Sequence, residues 1–355
     1  MIKKITLLFT LLTLSVLNAQ TTDVFTELIG PYQIELNGTD IYAAHFYENK
    51  VSKIDLSTTI PTLSEIATGF TNPDGLAFYG TDLYVAEVNS RKISKIDLTT
   101  NPVTVTDIII NLGPLSHPRG LVIKGDDLYV ALYDYGSNTH RIIKINLIGT
   151  PVITDFVTGL DGGPLSLIIN GTNMYFSIPD EGKIQKIDLN AAIPAAIDVV
   201  TGLSYPRGLA IKDSDLYIAD SDDNKISKID LNATIPVAID VVTGLSFPSE
   251  ILFIENELYI SEFTGNKISK VNINTLSVDA VAIIDTVKIY PNPSSGFLQI
   301  SGLQKEEKYK IYSTLGTKIS EGIISNNQKI DIQNLTSGVY LLKFENGSVS
   351  NFIKE

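Results

Sequence analysis

Pro206-Arg-Gly-Leu-Ala-Ile-Lys-Asp-Ser-Asp-Leu-Tyr-Ile-Ala-Asp220, then Lys225-Ile-Ser-Lys-Ile-Asp-Leu231, then Ile239-Asp-Val-Val-Thr-Gly-Leu245, is the stretch that decides the fold. It holds four short runs of β-branched and aromatic residues, Gly-Leu-Ala-Ile, Leu-Tyr-Ile-Ala, Lys-Ile-Ser-Lys-Ile-Asp and Asp-Val-Val-Thr. Gly, Asn, Asp and Pro separate them, as a strand-turn-strand meander requires. The central tyrosine recurs at Tyr42, Tyr84, Tyr129, Tyr175, Tyr217 and Tyr259, with gaps of 42, 45, 46, 42 and 42 residues. Helical periodicity is absent.

A period near 42 with four strands per unit is the signature of a propeller blade, and six tyrosines count six blades. The expected fold is all-β: a six-bladed β-propeller over 20–274, a linker over 275–285, and a small Ig-like β-sandwich over 286–355. The sixth unit lacks a good outer strand after Asn272. Thr22-Asp-Val-Phe-Thr-Glu-Leu28 is similar to Ile153-Thr-Asp-Phe-Val-Thr-Gly-Leu160, so the N-terminal segment is expected to supply that strand and close the ring.

The chain has 355 residues, 27 Lys+Arg against 40 Asp+Glu, and no Cys or Trp. A formal charge of −13 argues against nucleic acid, whose phosphates need a basic footprint. Zero Cys excludes disulfides, thiolate zinc sites and cysteine catalysis. Residues 1–19 read as a secretory signal peptide. Lys3 and Lys4 precede the apolar run Ile5 to Leu17, and Asn18-Ala19-Gln20 offers a small residue for cleavage. No transmembrane segment is expected beyond it.

Three blocks mark the C-terminal region: Val287-Lys-Ile-Tyr-Pro-Asn-Pro-Ser-Ser-Gly296, Tyr309-Lys-Ile-Tyr-Ser-Thr-Leu-Gly316 and Leu335-Thr-Ser-Gly-Val-Tyr-Leu-Leu-Lys-Phe344. In order and spacing they resemble the C-terminal sorting domain of the type IX secretion system of Bacteroidetes-type bacteria. The resemblance implies export across the outer membrane, with the secretion machinery as partner, and release or attachment at the cell surface. The repeat pattern Pro-x-Gly-Leu-Ala, Asp-Leu-Tyr-x-Ala-[Asp/Glu] and Lys-Ile-x-Lys-Ile resembles NHL and YWTD-type propeller repeats. It is also similar to the repeats of SMP-30/gluconolactonase and streptogramin-lyase relatives.

Comparing the units separates shared from single-unit residues. The Asp ending the third strand (Asp55, Asp97, Asp188, Asp230) and the Asp before Leu-Tyr (Asp40, Asp82, Asp127, Asp215) recur, so they read as architectural. Two columns are expected at the channel mouth. Around the loop proline they supply Gln33, Asp74, Arg119, Leu165, Arg207 and Glu250. Three residues after each tyrosine they supply His45, Glu87, Leu132, Ile178, Asp220 and Glu262. One half of the mouth would then be acidic and the other apolar, with Arg119 and Arg207 flanking.

Four of these carboxylates, Asp74, Glu87, Glu250 and Glu262, are expected as candidate oxygen ligands for Ca²⁺ or Mg²⁺. Gluconolactonase-type relatives hold a divalent ion on carboxylates, which implies a lactonase or lyase alternative. The matching segment Ile29-Gly-Pro-Tyr-Gln33 carries no acidic residue, however. His117 at the rim and Tyr133 in the longest loop, Leu132-Tyr-Asp-Tyr-Gly-Ser-Asn-Thr-His-Arg141, are further candidates to meet a small molecule, sugar or peptide. No nucleophile elbow and no His-Glu-x-x-His motif appears. The units from 197 onward repeat long stretches, and Ile197-Asp-Val-Val-Thr-Gly-Leu203 recurs at Ile239 to Leu245. Such repetition leaves few unique positions for an active site, so the expectation is a ligand-binding module, with a purely structural surface role as a further alternative.

Overall fold

A computed structural model describes residues 21–134, 139–273, 288–301, 303, 306–314, 316–344 and 349–355. The expected signal peptide, the expected linker over 275–285 and the tip of the long 132–141 loop lie outside the described residues. Six four-stranded antiparallel sheets follow one another along the chain. Each inner strand contacts the next, and the inner strand of blade six, Pro248–Ile254, contacts that of blade one, Pro31–Asn37, so the ring is closed.

Closure uses both ends of the propeller. Thr22–Thr26 is the outer strand of blade six, antiparallel to Lys267–Asn272, with Thr22 opposite Lys270 and Thr26 opposite Lys267. Asp23 pairs with Lys267 at 2.7 Å, the Leu28 amide donates to the Asn266 carbonyl at 2.9 Å, and the Leu28 side chain is buried.

The repeated tyrosine sits in the second strand of each blade, whose side chains are nearly all buried, as in Asp215–Asp220. Its ring bridges blades: Tyr42 meets Phe78 at 5.0 Å and Tyr217 meets Phe253 at 4.9 Å, both edge to face. The recurring aspartates have equally repetitive jobs. The one before Leu-Tyr pairs with the third-strand lysine, at 2.8 Å for Asp40–Lys53, 2.7 Å for Asp82–Lys95 and 2.5 Å for Asp215–Lys228. The one ending the third strand accepts the amide two residues on, at 2.8 Å for Asp55, Asp97 and Asp230 and 2.9 Å for Asp188. Much of the acidity of residues 21–285, which hold 17 Lys+Arg against 34 Asp+Glu, is therefore turn and strand-end chemistry.

Glycine in the Pro-x-Gly column has a steric cause. A Cβ on Gly75 would overlap the Arg119 carbonyl of the next blade, and one on Gly120 the Leu165 carbonyl. The inner strands converge so tightly there that only backbone fits.

The C-terminal region forms two further sheets, one of three strands (Lys288–Tyr290, Phe297–Ser301, Lys329–Asp331) and one of four (Glu307–Ser313, Lys318–Ile324, Gly338–Phe344, Val349–Lys354). Leu298, Ile300, Ile311, Leu342, Phe344 and Phe352 fill the core between them.

Candidate functional site at the channel mouth

The column three residues after each tyrosine ends the second strand and turns back into its own blade. Glu87 accepts the Thr71 amide at 2.8 Å and the Ser90 and Ser94 hydroxyls at 3.1 and 2.5 Å, and lies 3.2 Å from Lys92. Glu262 repeats this with the Ser246 amide at 2.8 Å, the Ser269 hydroxyl at 2.6 Å and Lys267 at 3.5 Å. Asp220 accepts the Ser204 amide at 2.6 Å, and burial pushes its carboxyl up to about 6. His45 Nε2 pairs with the Ser52 hydroxyl at 2.6 Å, and burial lowers its pKa. All four are at most 2% exposed. They tie the loop entering their own blade to its third strand.

The column around the loop proline behaves differently, because it lies on the inner strands where six blades meet. Gln33 Oε1 accepts the Leu76 amide of the next blade at 3.2 Å, and Glu250 Oε1 accepts the Leu209 and Ile251 amides, each at 3.1 Å. Burial pushes the Glu250 carboxyl up to about 8, so it is protonated at neutral pH. Asp74 is 5% exposed and takes a 3.2 Å contact from the Arg119 guanidinium. Burial raises its pKa, while Arg119 and then Arg207 oppose the rise.

Arg207 is the exception. It is 4% exposed, its Nε has no hydrogen-bond partner, and its guanidinium lies 3.9 Å from the Tyr32 ring centroid and 5.7 Å from that of Phe247. Buried charge is normally paired and hydrogen-bonded. Cation–π contact supplies only about 1–2 kcal/mol and leaves the buried Nε–H unused. Ser249, beside it, is 3% exposed with an unpartnered hydroxyl. Both line a hollow of about 10 Å³ with Tyr32, Asp74 and Glu250.

Next to this, Tyr32, Arg119, Tyr133, Leu165, Asp180 and Tyr205 border a second hollow of about 50 Å³. The Tyr133 hydroxyl donates to Asp180 at 2.7 Å, and its ring stands where a Cβ on Gly163 would be. His117 is half-buried, and burial and Arg119 lower its pKa. The structure thus groups Gln33, Asp74, Arg119, Arg207, Glu250 and Tyr133 around the mouth, while Glu87, Asp220, Glu262 and His45 face their own blades.

Sequence reasoning missed two features. One is an aromatic crescent: Tyr32 stacks on Phe46 at 4.9 Å, Phe263 meets Tyr32 at 5.2 Å and Phe247 at 5.9 Å, and Phe247 lies 6.3 Å from Tyr205. Tyr205 and Phe247 precede the loop proline with φ of +63° and +52°. The equivalent positions in other blades include Gly30 and Asn72, residues that tolerate this left-handed region. A bulky aromatic there is strained, and such strain collects at functional sites. The other is Glu35. It lines the central channel, a cavity of about 380 Å³, among Ala77, Val122, Ile168, Ala210 and Leu252, its counterparts in the other blades. Burial pushes it up to about 8 although its edge faces the channel, and its charge raises Glu250 further. Glu in a column otherwise apolar was visible in the repeats.

The four carboxylates expected to bind Ca²⁺ or Mg²⁺ do not fit a metal. Glu87 and Glu262 are consumed by amide, hydroxyl and lysine partners, and among the described residues no group of three or more His, Asp or Glu is placed to hold an ion.

Comparison with known proteins adds two findings. Residues 288–354 match the family described as the secretion system C-terminal sorting domain. The protein is secreted or sits on the outer surface. That domain engages the type IX secretion machinery, and among the described residues no helix is long and apolar enough to cross a membrane. The propeller is similar to the luciferin-regenerating enzyme (13% identity, TM-score 0.58, covering 72% of this chain and 95% of that one). It is similar to regucalcin, a calcium-binding protein of Agrobacterium tumefaciens (13%, 0.57, 71% and 92%), and to streptogramin B lyase (18%, 0.51, 71% and 86%). At these identities the likeness shows the fold alone. A search of curated proteins found no match.

Proposed function

We propose that the exported propeller is a small-molecule-binding module whose ligand sits at the channel mouth, against Tyr205 and Phe247 and beside Arg207. The observation that carries this reading is the pair of aromatic side chains held at left-handed backbone positions beside a buried arginine. Glycine or asparagine would relieve the strain there by roughly 1 kcal/mol each. Placing rings instead costs stability and supplies flat apolar surface, half-buried and next to open hollows. In this reading the C-terminal domain carries the module out of the cell, and the strand-end carboxylates only hold the blades.

Saturation-transfer NMR with a library of ring-bearing fragments tests the reading. Fragments that bind the wild type and lose their signal with Phe247→Asn and Tyr205→Asn support it. Fragments that bind both proteins equally place binding elsewhere and contradict it.

A further inference from the structure

The hollow beside Arg207 holds a buried positive charge within a propeller that is otherwise acidic. Arg119 and Arg207 contribute two positive charges. Two carboxylates lie nearby, and both are engaged: Asp74 takes the Arg119 contact at 3.2 Å, and Asp180, on the adjoining hollow, accepts the Tyr133 hydroxyl at 2.7 Å. Glu250, the other carboxyl lining the hollow, is held protonated by burial at neutral pH. Among the described residues no carboxylate pairs with Arg207, whose guanidinium is 4% exposed and whose Nε–H meets no acceptor. The neighbouring Ser249 hydroxyl, 3% exposed, also lacks a partner, and the two donors line the same hollow of about 10 Å³. That volume holds one water-sized atom. Tyr32 covers one face of the guanidinium, which keeps its plane fixed and its edge available.

A buried planar cation, a free hydroxyl and space for a single oxygen match a carboxylate better than any neutral group. Phosphate or sulfate would bring three or more oxygens and a second charge, which this hollow and Asp74 oppose. Phe247, 5.7 Å from the guanidinium, and Tyr205, 6.3 Å from Phe247, would flank whatever carries that carboxylate.

Resting on the binding reading above, we propose that the ligand is a small organic anion, a carboxylate borne on a ring, with one carboxylate oxygen in the hollow between Arg207 and Ser249 and the ring against Phe247 and Tyr205. An aromatic acid and a sugar acid share this chemistry. Within an exported protein of net charge −13, the site is a local positive well whose strength comes from desolvation rather than from a basic surface.

The test titrates the full chain calorimetrically with phenylacetate, D-galacturonate and the uncharged phenylacetamide. At least one acid is expected to bind ten-fold or more tighter than phenylacetamide, and which acid binds tighter identifies the source. Arg207→Gln should abolish that preference with the circular dichroism melt retained. Ser249→Asp, which puts a carboxylate into the hollow, should raise the melting temperature and abolish binding of both acids, so the idea stays testable if Arg207→Gln does not fold. If phenylacetamide binds as tightly as the acids and Phe247→Asn weakens all of them, the mouth is the site but the anion assignment is wrong. An acid preference that survives Arg207→Gln also overturns the assignment. No binding by any probe overturns both.

Discussion

Glu262 and Arg207 are both buried charges near the same face of the propeller, and they have opposite fates. Glu262 accepts an amide and a hydroxyl and pairs with Lys267. Arg207 has rings for neighbours and an Nε–H with nowhere to donate. Burial and charge alone therefore do not mark a site. In this molecule the strand-end residues Glu87, Asp220, Glu262 and His45 are partnered and serve the blade, whereas in the inner-strand column Arg207 and Ser249 keep donors unpartnered beside the channel mouth. Repetition reinforces the distinction, since the Glu262 arrangement recurs at Glu87 and, in shortened form, at Asp220. Arg207 has no equivalent in the unit that follows it, where Ser249 stands.

If saturation is what holds the ring, the largest losses come from removing saturated contacts. Deleting Thr22–Leu28 strips blade six of its outer strand, the Asp23–Lys267 pair and the buried Leu28. A loss of about 4 kcal/mol is expected, and at 2–4 °C per kcal/mol the calorimetric melting temperature falls by about 8–16 °C. An unchanged melt would break the closure account. Next comes Glu87→Ala, which leaves the buried Thr71 amide and the Ser90 hydroxyl without their acceptor and leaves Lys92 and Ser94 only Asp107. The expected cost is about 3 kcal/mol, read by chemical denaturation, with no effect on ligand binding.

A smaller effect comes from the channel carboxyls. Glu35 and Glu250 titrate near 8 in the folded chain, well above an unfolded glutamate. Between about pH 4.5 and 8 the unfolded chain has released these protons and the folded chain retains them. They therefore contribute stability below about pH 4.5 that is lost as pH rises through 8. Relative to wild type, Glu35→Gln should become more stable from pH 5 to pH 8, by a few degrees in paired thermal melts. A difference that stays flat or reverses would show that Glu35 is ionised in the channel.

The fold was legible because its determinants are local and periodic. Tyr42 through Tyr259 mark the blades, and the Thr22–Leu28 segment looks like the outer strand it becomes. The division of labour among the candidate residues was only half legible. Comparing units flags Arg207 and would have flagged Glu35, whose counterparts are all apolar. It cannot say that Glu87 and Glu262 turn inward, because that depends on the Ser94 and Ser269 hydroxyls meeting them across the blade. Nor does it reveal the left-handed backbone of Tyr205 and Phe247, which exists only once the loop is closed by its neighbours, as where Asn224 Oδ1 accepts the Phe247 amide at 2.8 Å. The acidic half-mouth expected from the columns dissolves for the same reason. Its strand-end carboxylates are spoken for, and Glu250 is protonated.

The most direct measurement sets Arg207→Gln beside Glu262→Gln in the same thermal melt at pH 7. Glu262→Gln disturbs a saturated acceptor and should lose about 2 kcal/mol, or roughly 4–8 °C. Arg207→Gln removes an unmatched buried charge and should melt within about 2 °C of wild type, or above it. A fall for Arg207→Gln as large as that for Glu262→Gln would show that the arginine holds the blades together, and would contradict the assignment of the channel mouth as a binding site.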